Sequence, residues 1–284
     1  MPKDEAGVLS EIKRNYILKK LKEGKRGDGR SPESFREISI TTNYVPRSAG
    51  SAYVKLGRTK VVAGIKIESG EPFPDTPNQG VLTTNVELLP MAFPTFEAGP
   101  PNEGSIEIAR VVDRGIRESK MIDLESLVIE PAKKVWIVFA DIDVIDFDGN
   151  LIDACTLAVV SALKSAVVPG STEGGKDFAL PVRSLPISVT MVKIGDELVA
   201  DPDLEEEQLS TARITVTTTA DEHIRAMQKG DTGYFTLDEI RKAIKLSSDI
   251  GRQMEKCWSP EKPCIILSCQ YDFFYTGSFL DENP

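Results

Sequence analysis

The chain has 284 residues, 40% of them hydrophobic and 27% charged, which suits one large domain or two small ones around a proper core. No uninterrupted apolar run approaches the roughly 20 residues of a membrane-spanning helix, and Met1-Pro-Lys-Asp-Glu-Ala-Gly7 has early acids and no apolar h-region, so the chain is expected in the cytoplasm, with no membrane partner. A net charge of −10 excludes a general attraction of nucleic acid to the whole surface; any nucleic-acid contact would require a local basic patch or a more basic partner.

Residues 1–25 form the first segment. Val8, Leu9, Ile12, Tyr16, Ile17 and Leu21 recur at helical spacing between Glu5 and Lys25, predicting an amphipathic helix. Gly24, Gly27 and Gly29 end the pattern. Strands are predicted at Ile38–Thr42, Ser51–Leu56 and Lys60–Lys66, with a tight turn at Gly57-Arg58-Thr59. Val86–Met91 reads as a strand and Ala92–Gly104, rich in Pro and Gly, as a loop. Ser105 is then placed as the cap of a helix from Ile106 to about Lys120. Val135–Val144 reads as a strongly apolar strand and Leu151–Val168 as a buried helix stopped by Pro169-Gly170.

The polar, glycine-rich run Ser171–Asp177 predicts a boundary, dividing the chain into a first half over 26–170, a linker over 171–186 and a second half over 187–284 with a C-terminal helix and tail. In that second half, Ile187–Ile194 and Leu198–Ala200 alternate as a hairpin around Gly195-Asp196, and Ala212–Thr218 as a strand. Thr236-Leu-Asp-Glu239 is a capping box opening a helix to about Trp258. The fold class is α+β, built as two successive αβ halves.

Cys155 reads as a buried thiol. Cys257, Cys264 and Cys269 lack zinc-site spacing, so reduced thiols and no metal are expected. The single histidine, His223, lies in the polar run Ala220-Asp221-Glu222-His223 and reads as solvated rather than catalytic.

The helix near Ile106 carries the chemistry. Arg110, Arg114 and Arg117 stand at i, i+4 and i+7, on one face, while Ile108, Val112 and Ile116 form a stripe nearly opposite. Such a row can be a solvated face bridging to Glu107, Asp113 or Glu118. Two features point to phosphate contact instead: all three are arginines, suited to two-point contact, and a long loop precedes the helix.

Several ordered motifs then carry a resemblance. Arg26-Gly-Asp28-Gly29-Arg30 with Phe35-Arg36, the hairpin Gly50-Ser51-Ala52 through Gly57-Arg58-Thr59-Lys60-Val61, the arginine helix around Ala109–Ser119, and Asp201-Pro202-Asp203-Leu204-Glu205-Glu206-Glu207 together resemble the RNase PH superfamily, over roughly Arg26 to Trp258. Within it the chain is most similar to the non-catalytic RNase PH-like subunits of archaeal exosomes. The resemblance implies an RNase PH-like fold in a hexameric ring that alternates this subunit with a catalytic RNase PH-like partner, carries RNA-binding cap subunits, and degrades single-stranded RNA from its 3′ end with inorganic phosphate.

The departures from the catalytic pattern set the expected role. Catalytic members resemble Asp-Gly/Ala-Gly-Ser/Thr-Arg after the central strand, where small residues free backbone N–H groups for phosphate. Here the run is Asp148-Gly149-Asn150-Leu151-Ile152-Asp153: hydroxyl and arginine are gone, and Asp153 adds a repelling charge. Asp201 and Glu207 keep the six-residue spacing of the family's two carboxylates, with Glu for Asp at the second. That region reads as an acidic hairpin tip facing solvent ahead of a working pair. No catalytic residue and no cofactor are therefore expected in this chain, with inorganic phosphate, and magnesium where used, at the partner's site. Arg110, Arg114 and Arg117 are the expected RNA contacts. The competing reading is a phosphorolytic exoribonuclease subunit active in its own right.

Overall fold

The computed structural model describes residues 11–255 and 265–266. In chain order the elements are α1 (Glu11–Lys22), β1 (Ile38–Thr42), β2 (Gly50–Leu56), β3 (Thr59–Gly70), β4 (Val81–Leu88), α2 (Glu103–Glu118), β5 (Val128–Glu130), β6 (Lys134–Asp146), α3 (Leu151–Lys164), β7 (Val167–Val168), β8 (Phe178–Ala179), β9 (Ile187–Ile194), β10 (Glu197–Ala200), α4 (Leu204–Leu209), β11 (Ala212–Thr218), β12 (Ile224–Gly230), α5 (Leu237–Glu255) and β13 (Ile265–Ile266). A first sheet runs β13-β1-β2-β3-β6-β4, with β5 on β6, and a second runs β10-β9-β11-β12. Among the described residues only β4 and β6 pair in parallel. The two successive α+β halves read from the sequence are borne out.

Period-two alternation fixes which faces meet. Along β3, Val61, Ala63, Ile65 and Ile67 are buried while the residues between them are not. That face receives α3, whose residues Leu151–Leu163 are all buried. Its other side is covered by the second sheet: Thr156 Oγ1 meets Ser188 Oγ at 3.3 Å. The neighbours Ile187, Val189, Met191 and Lys193 point the opposite way, and Lys193 Nζ reaches Glu239 on α5 at 2.6 Å. The layers are therefore sheet, helices, sheet and α5. Two glycines permit the close approaches. A Cβ on Gly50 would stand 2.5 Å from the Ala162 carbonyl of α3, and one on Gly115 of α2 3.3 Å from Thr217. On α1, Ile17 and Leu21 bury against Val192, Ile194 and Val199.

Several boundaries differ from the sequence reading, each for a local reason. Helix α2 starts at Glu103 rather than Ile106, because Asn102 and not Ser105 is the cap: its Oδ1 accepts the Ser105 N–H at 2.9 Å. Strand β4 starts at Val81 and stops at Leu88, since Pro90 disfavours further ladder geometry. Helix α3 ends at Lys164, capped by Ser165, and Val167-Val168 turns into a strand paired with Phe178–Ala179. The segment 171–186 holds a 3-10 turn ending at Glu173, strand β8 and a bridge from Ile122 to Val182. Tyr16 faces outward, half exposed. The capping box at Thr236 and Glu239 is formed, and Gly57-Arg58 makes the β2–β3 turn. Elements β5, β7, β8, β12, β13 and α4 were not anticipated. The N-terminal positions Val8 and Leu9, the Ile12 side chain, the helix beyond Glu255, and Cys257, Cys264 and Cys269 lie outside the described residues.

Candidate RNA interface and the loop ahead of the third helix

Helix α2 lies between β4 and β12 beside α3. Its stripe of Ile108, Val112 and Ile116 is buried, with Val111 and Gly115, while Arg110, Arg114 and Arg117 are exposed. The three guanidiniums are not equivalent. Arg117 is engaged, with its Nε on Asp113 Oδ2 at 2.6 Å and a terminal nitrogen on the Leu82 carbonyl. Arg114 donates to Gln228 Oε1 on β12 at 2.9 Å, a positioning contact from an element the sequence reading missed. Arg110 has no ion-pair partner among the described residues. The open cations therefore lie toward the N-terminal half of the row.

The loop ahead of α3 is held from every side. Gly149 (φ +85°) and Asn150 (φ +56°) both take the left-handed conformation. A Cβ on Gly149 would stand 2.5 Å from the backbone at Asp203, so glycine alone fits. Arg36 donates to the Asp148 and Gly149 carbonyls at 2.6 and 3.3 Å, and Thr59 Oγ1 to Gly149 at 2.7 Å. The Asn150 N–H donates to Glu207 Oε1 at 2.7 Å. The backbone amide that opens α3 is therefore taken by a carboxylate of the chain itself. Leu151 and Ile152, at the positions expected to carry a hydroxyl and an arginine, are buried.

Asp201 is not part of a solvent-facing tip, which corrects the sequence reading. It is fully buried. Arg36 contacts both of its oxygens, through Nε at 3.0 Å and a terminal nitrogen at 2.7 Å, and Arg30 adds a contact at 3.0 Å. Asn150 Nδ2 donates to it at 2.8 Å. Burial alone would raise this carboxyl, but the two guanidiniums and the amide hold it below the ordinary carboxylate range. A carboxylate so committed cannot swing to a substrate. Next to it, Asp203 and Glu206 form a capping box for α4, and Glu206 pairs with buried Arg26. Glu207 is partly exposed at the loop. Burial pushes its carboxyl up, against the opposing Asn150 amide and Arg213.

Asp153 also differs from expectation. It does not front an anion site but points inward, accepting from the Thr190 N–H, Thr190 Oγ1 and Asn150 Nδ2, each at 2.8 Å. Burial pushes its carboxyl up to about 7, against those hydrogen bonds. Cys155 is buried, its thiol pushed up by burial, and His223 is solvent-exposed, its Nδ1 near the Asp221 carbonyl. The polar residues the sequence reading missed are Thr190, Arg213 and Gln228, and it quoted Arg36 only as part of a motif, without its contact to Asp201. Only Asp203-Leu-Glu-Glu206 carried a legible signal, a capping-box spacing.

Domain 1 of the 3′ exoribonuclease (RNase PH) family matches residues 34–169 and domain 2 matches residues 184–250. The exosome complex component Rrp42 of Thermoplasma volcanium is 69% identical over 90% of this chain and 98% of its own length. Its counterpart from Archaeoglobus fulgidus is 51% identical over 84% and 91%. Among solved structures, a chain of the Archaeoglobus fulgidus exosome with RNA bound to the active site superposes with a TM-score of 0.85 at 46% identity, covering 88% of this chain and 98% of that one. An archaeal exosome core chain gives 0.81 at 44%, covering 90% and 98%. With both domains matched in order and relatives aligned along nearly their whole length, the chain belongs to the RNase PH-type 3′ exoribonuclease family.

Proposed function

We propose that this chain is a non-catalytic subunit of an archaeal exosome ring, alternating with a catalytic RNase PH-like subunit whose active site it helps to shape. One observation carries the non-catalytic role: Glu207 takes the Asn150 amide in a loop that lacks the hydroxyl and arginine of phosphate-binding members. Inorganic phosphate, and magnesium where used, then belong to the partner's site. The exposed side chains of Arg110 and Arg114 reach the RNA backbone across the subunit contact, with Arg117 behind them. Backbone contacts of this kind hold RNA without reading its sequence. The relatives' designation as exosome components supports the ring, and RNA-binding cap subunits on one face complete it. No helix of the described residues is long and apolar enough to cross a membrane, in keeping with a cytoplasmic assembly.

The test pairs two measurements. Phosphate-dependent shortening of single-stranded RNA is expected from this chain mixed with its partner and not from this chain alone; activity of the isolated chain would favour the self-sufficient exoribonuclease and overturn the reading. In the assembled ring, Arg110→Glu with Arg114→Glu is expected to weaken RNA binding roughly 10- to 100-fold and to lower the salt slope by about 1.4, from two lost phosphate contacts. Unchanged affinity and slope, or a ring that no longer assembles, would reduce the arginines to structural salt-bridge residues.

A further inference from the structure

Arg110 stands beside two acids and pairs with neither. On a helix a side chain meets the residues three and four positions away, which for Arg110 are Ile106, Glu107, Asp113 and Arg114. Either acid could take its charge, but both are engaged elsewhere. Asp113 accepts from Arg117 Nε at 2.6 Å and from Thr84 Oγ1 at 3.2 Å. Glu107 reaches off the helix to Arg213 on β11 and accepts from a terminal nitrogen of its guanidinium.

The second sheet makes room for that contact. Along β11, Arg213, Thr215 and Thr217 share one side, and Thr217 lies against Gly115 of α2. Arg213 therefore faces the arginine helix. Opposite it in register stands Gly230 on β12. A Cβ there would lie 2.9 Å from a terminal nitrogen of Arg213 and 3.0 Å from its Nε, so the glycine leaves the space in which the guanidinium sits. On the same side of β12, Gln228 accepts from Arg114 at 2.9 Å. Gln228 is neutral, so Arg114 is held with its charge unspent.

A carboxylate paired with a guanidinium cancels much of its charge and repels an incoming phosphate. We propose that Arg213 is a positioning residue for RNA binding. By holding Glu107 it keeps that carboxylate off Arg110, and Arg110 meets the RNA phosphate unneutralised. Arg213 acts through Arg110, so this role rests on the reading of Arg110 and Arg114 as RNA contacts.

The test is RNA binding by the assembled ring across a salt series. Arg213→Gln frees Glu107 to pair with Arg110. It is expected to weaken binding about fivefold and to lower the salt slope by up to about 0.7, the share of one phosphate contact on a single strand. Both side chains of the Arg213–Glu107 pair are partly exposed, so the core stays intact. Adding Glu107→Gln should restore affinity and slope. Adding Asp238→Asn instead returns the same net charge at an exposed acid of α5, across the sheet from α2, and should restore neither. Arg213 also faces Glu207; an Arg110→Gln background separates the two routes, since there Arg213→Gln should cost nothing further. No loss from Arg213→Gln, a loss that persists in the Arg110→Gln ring, or equal rescue by Asp238→Asn would overturn the positioning role and leave the RNA contact standing. No loss from Arg110→Gln itself would remove contact and role together.

Discussion

Asp153 shows how a single buried carboxyl ties chemistry to stability. Its partners hold it in place, yet removal from water raises its proton affinity, to a pKa of about 7 from an unfolded value of 3.8. Between those values the folded chain binds more protons than the unfolded one. The contribution of this group is therefore complete below about pH 4 and declines as pH rises through about 7. Asp153→Asn keeps an acceptor for the Thr190 amide and removes the charge. Its denaturant midpoint should fall less than the parent's between about pH 5 and about pH 8; parallel curves would show that Asp153 does not titrate in this window. Asn150, which bridges Asp153 and Asp201 through one amide nitrogen, explains why a left-handed asparagine is used here: only a short amide fits between two carboxylates and still tolerates positive φ.

At the scale of elements, α1 gains its stability from the second sheet rather than from its own sequence, since isolated helices of its length are marginal. Leu21 is buried against Val192, Ile194 and Val199, so Leu21→Ala should cost about 2–5 kcal/mol. Hydrogen exchange gives a sharper readout: α1 amides should lose protection while those of α3 keep it, and equal loss in both would mean that α1 is integral to the core. Periodicity made α2 legible, because its apolar stripe and arginine row are local facts of spacing. Its start was misplaced by one turn because both Asn102 and Ser105 are good caps, and only the folded chain shows which oxygen reaches an amide. Asp201 was illegible for a different reason. Its partners Arg30 and Arg36 lie some 165 residues or more away in sequence, and nothing in a run of acids reveals a guanidinium brought in by the fold.

Across the whole molecule, Arg36 and Asp201 join the two matched family domains, and Asp153 with Thr190 joins them again. Removing one partner of a buried pair strands the other's charge, so Asp201→Ala should destabilise the chain by about 3–5 kcal/mol. The domains are expected to melt in one transition at lower temperature; two separated transitions would show that they are thermodynamically independent. Helix α3 makes the same point without charge, being enclosed on one side by strands complete at Asp146 and on the other by strands that begin at Ile187. On a translating ribosome that second cover arrives late. The roughly fifty residues from Lys164 to the end of β11 take on the order of several seconds to add. Throughout that interval the nascent protein carries a greasy helix with one bare flank, so a message cut short before β11 would yield a product marked for chaperones and proteases by its own unfinished interior.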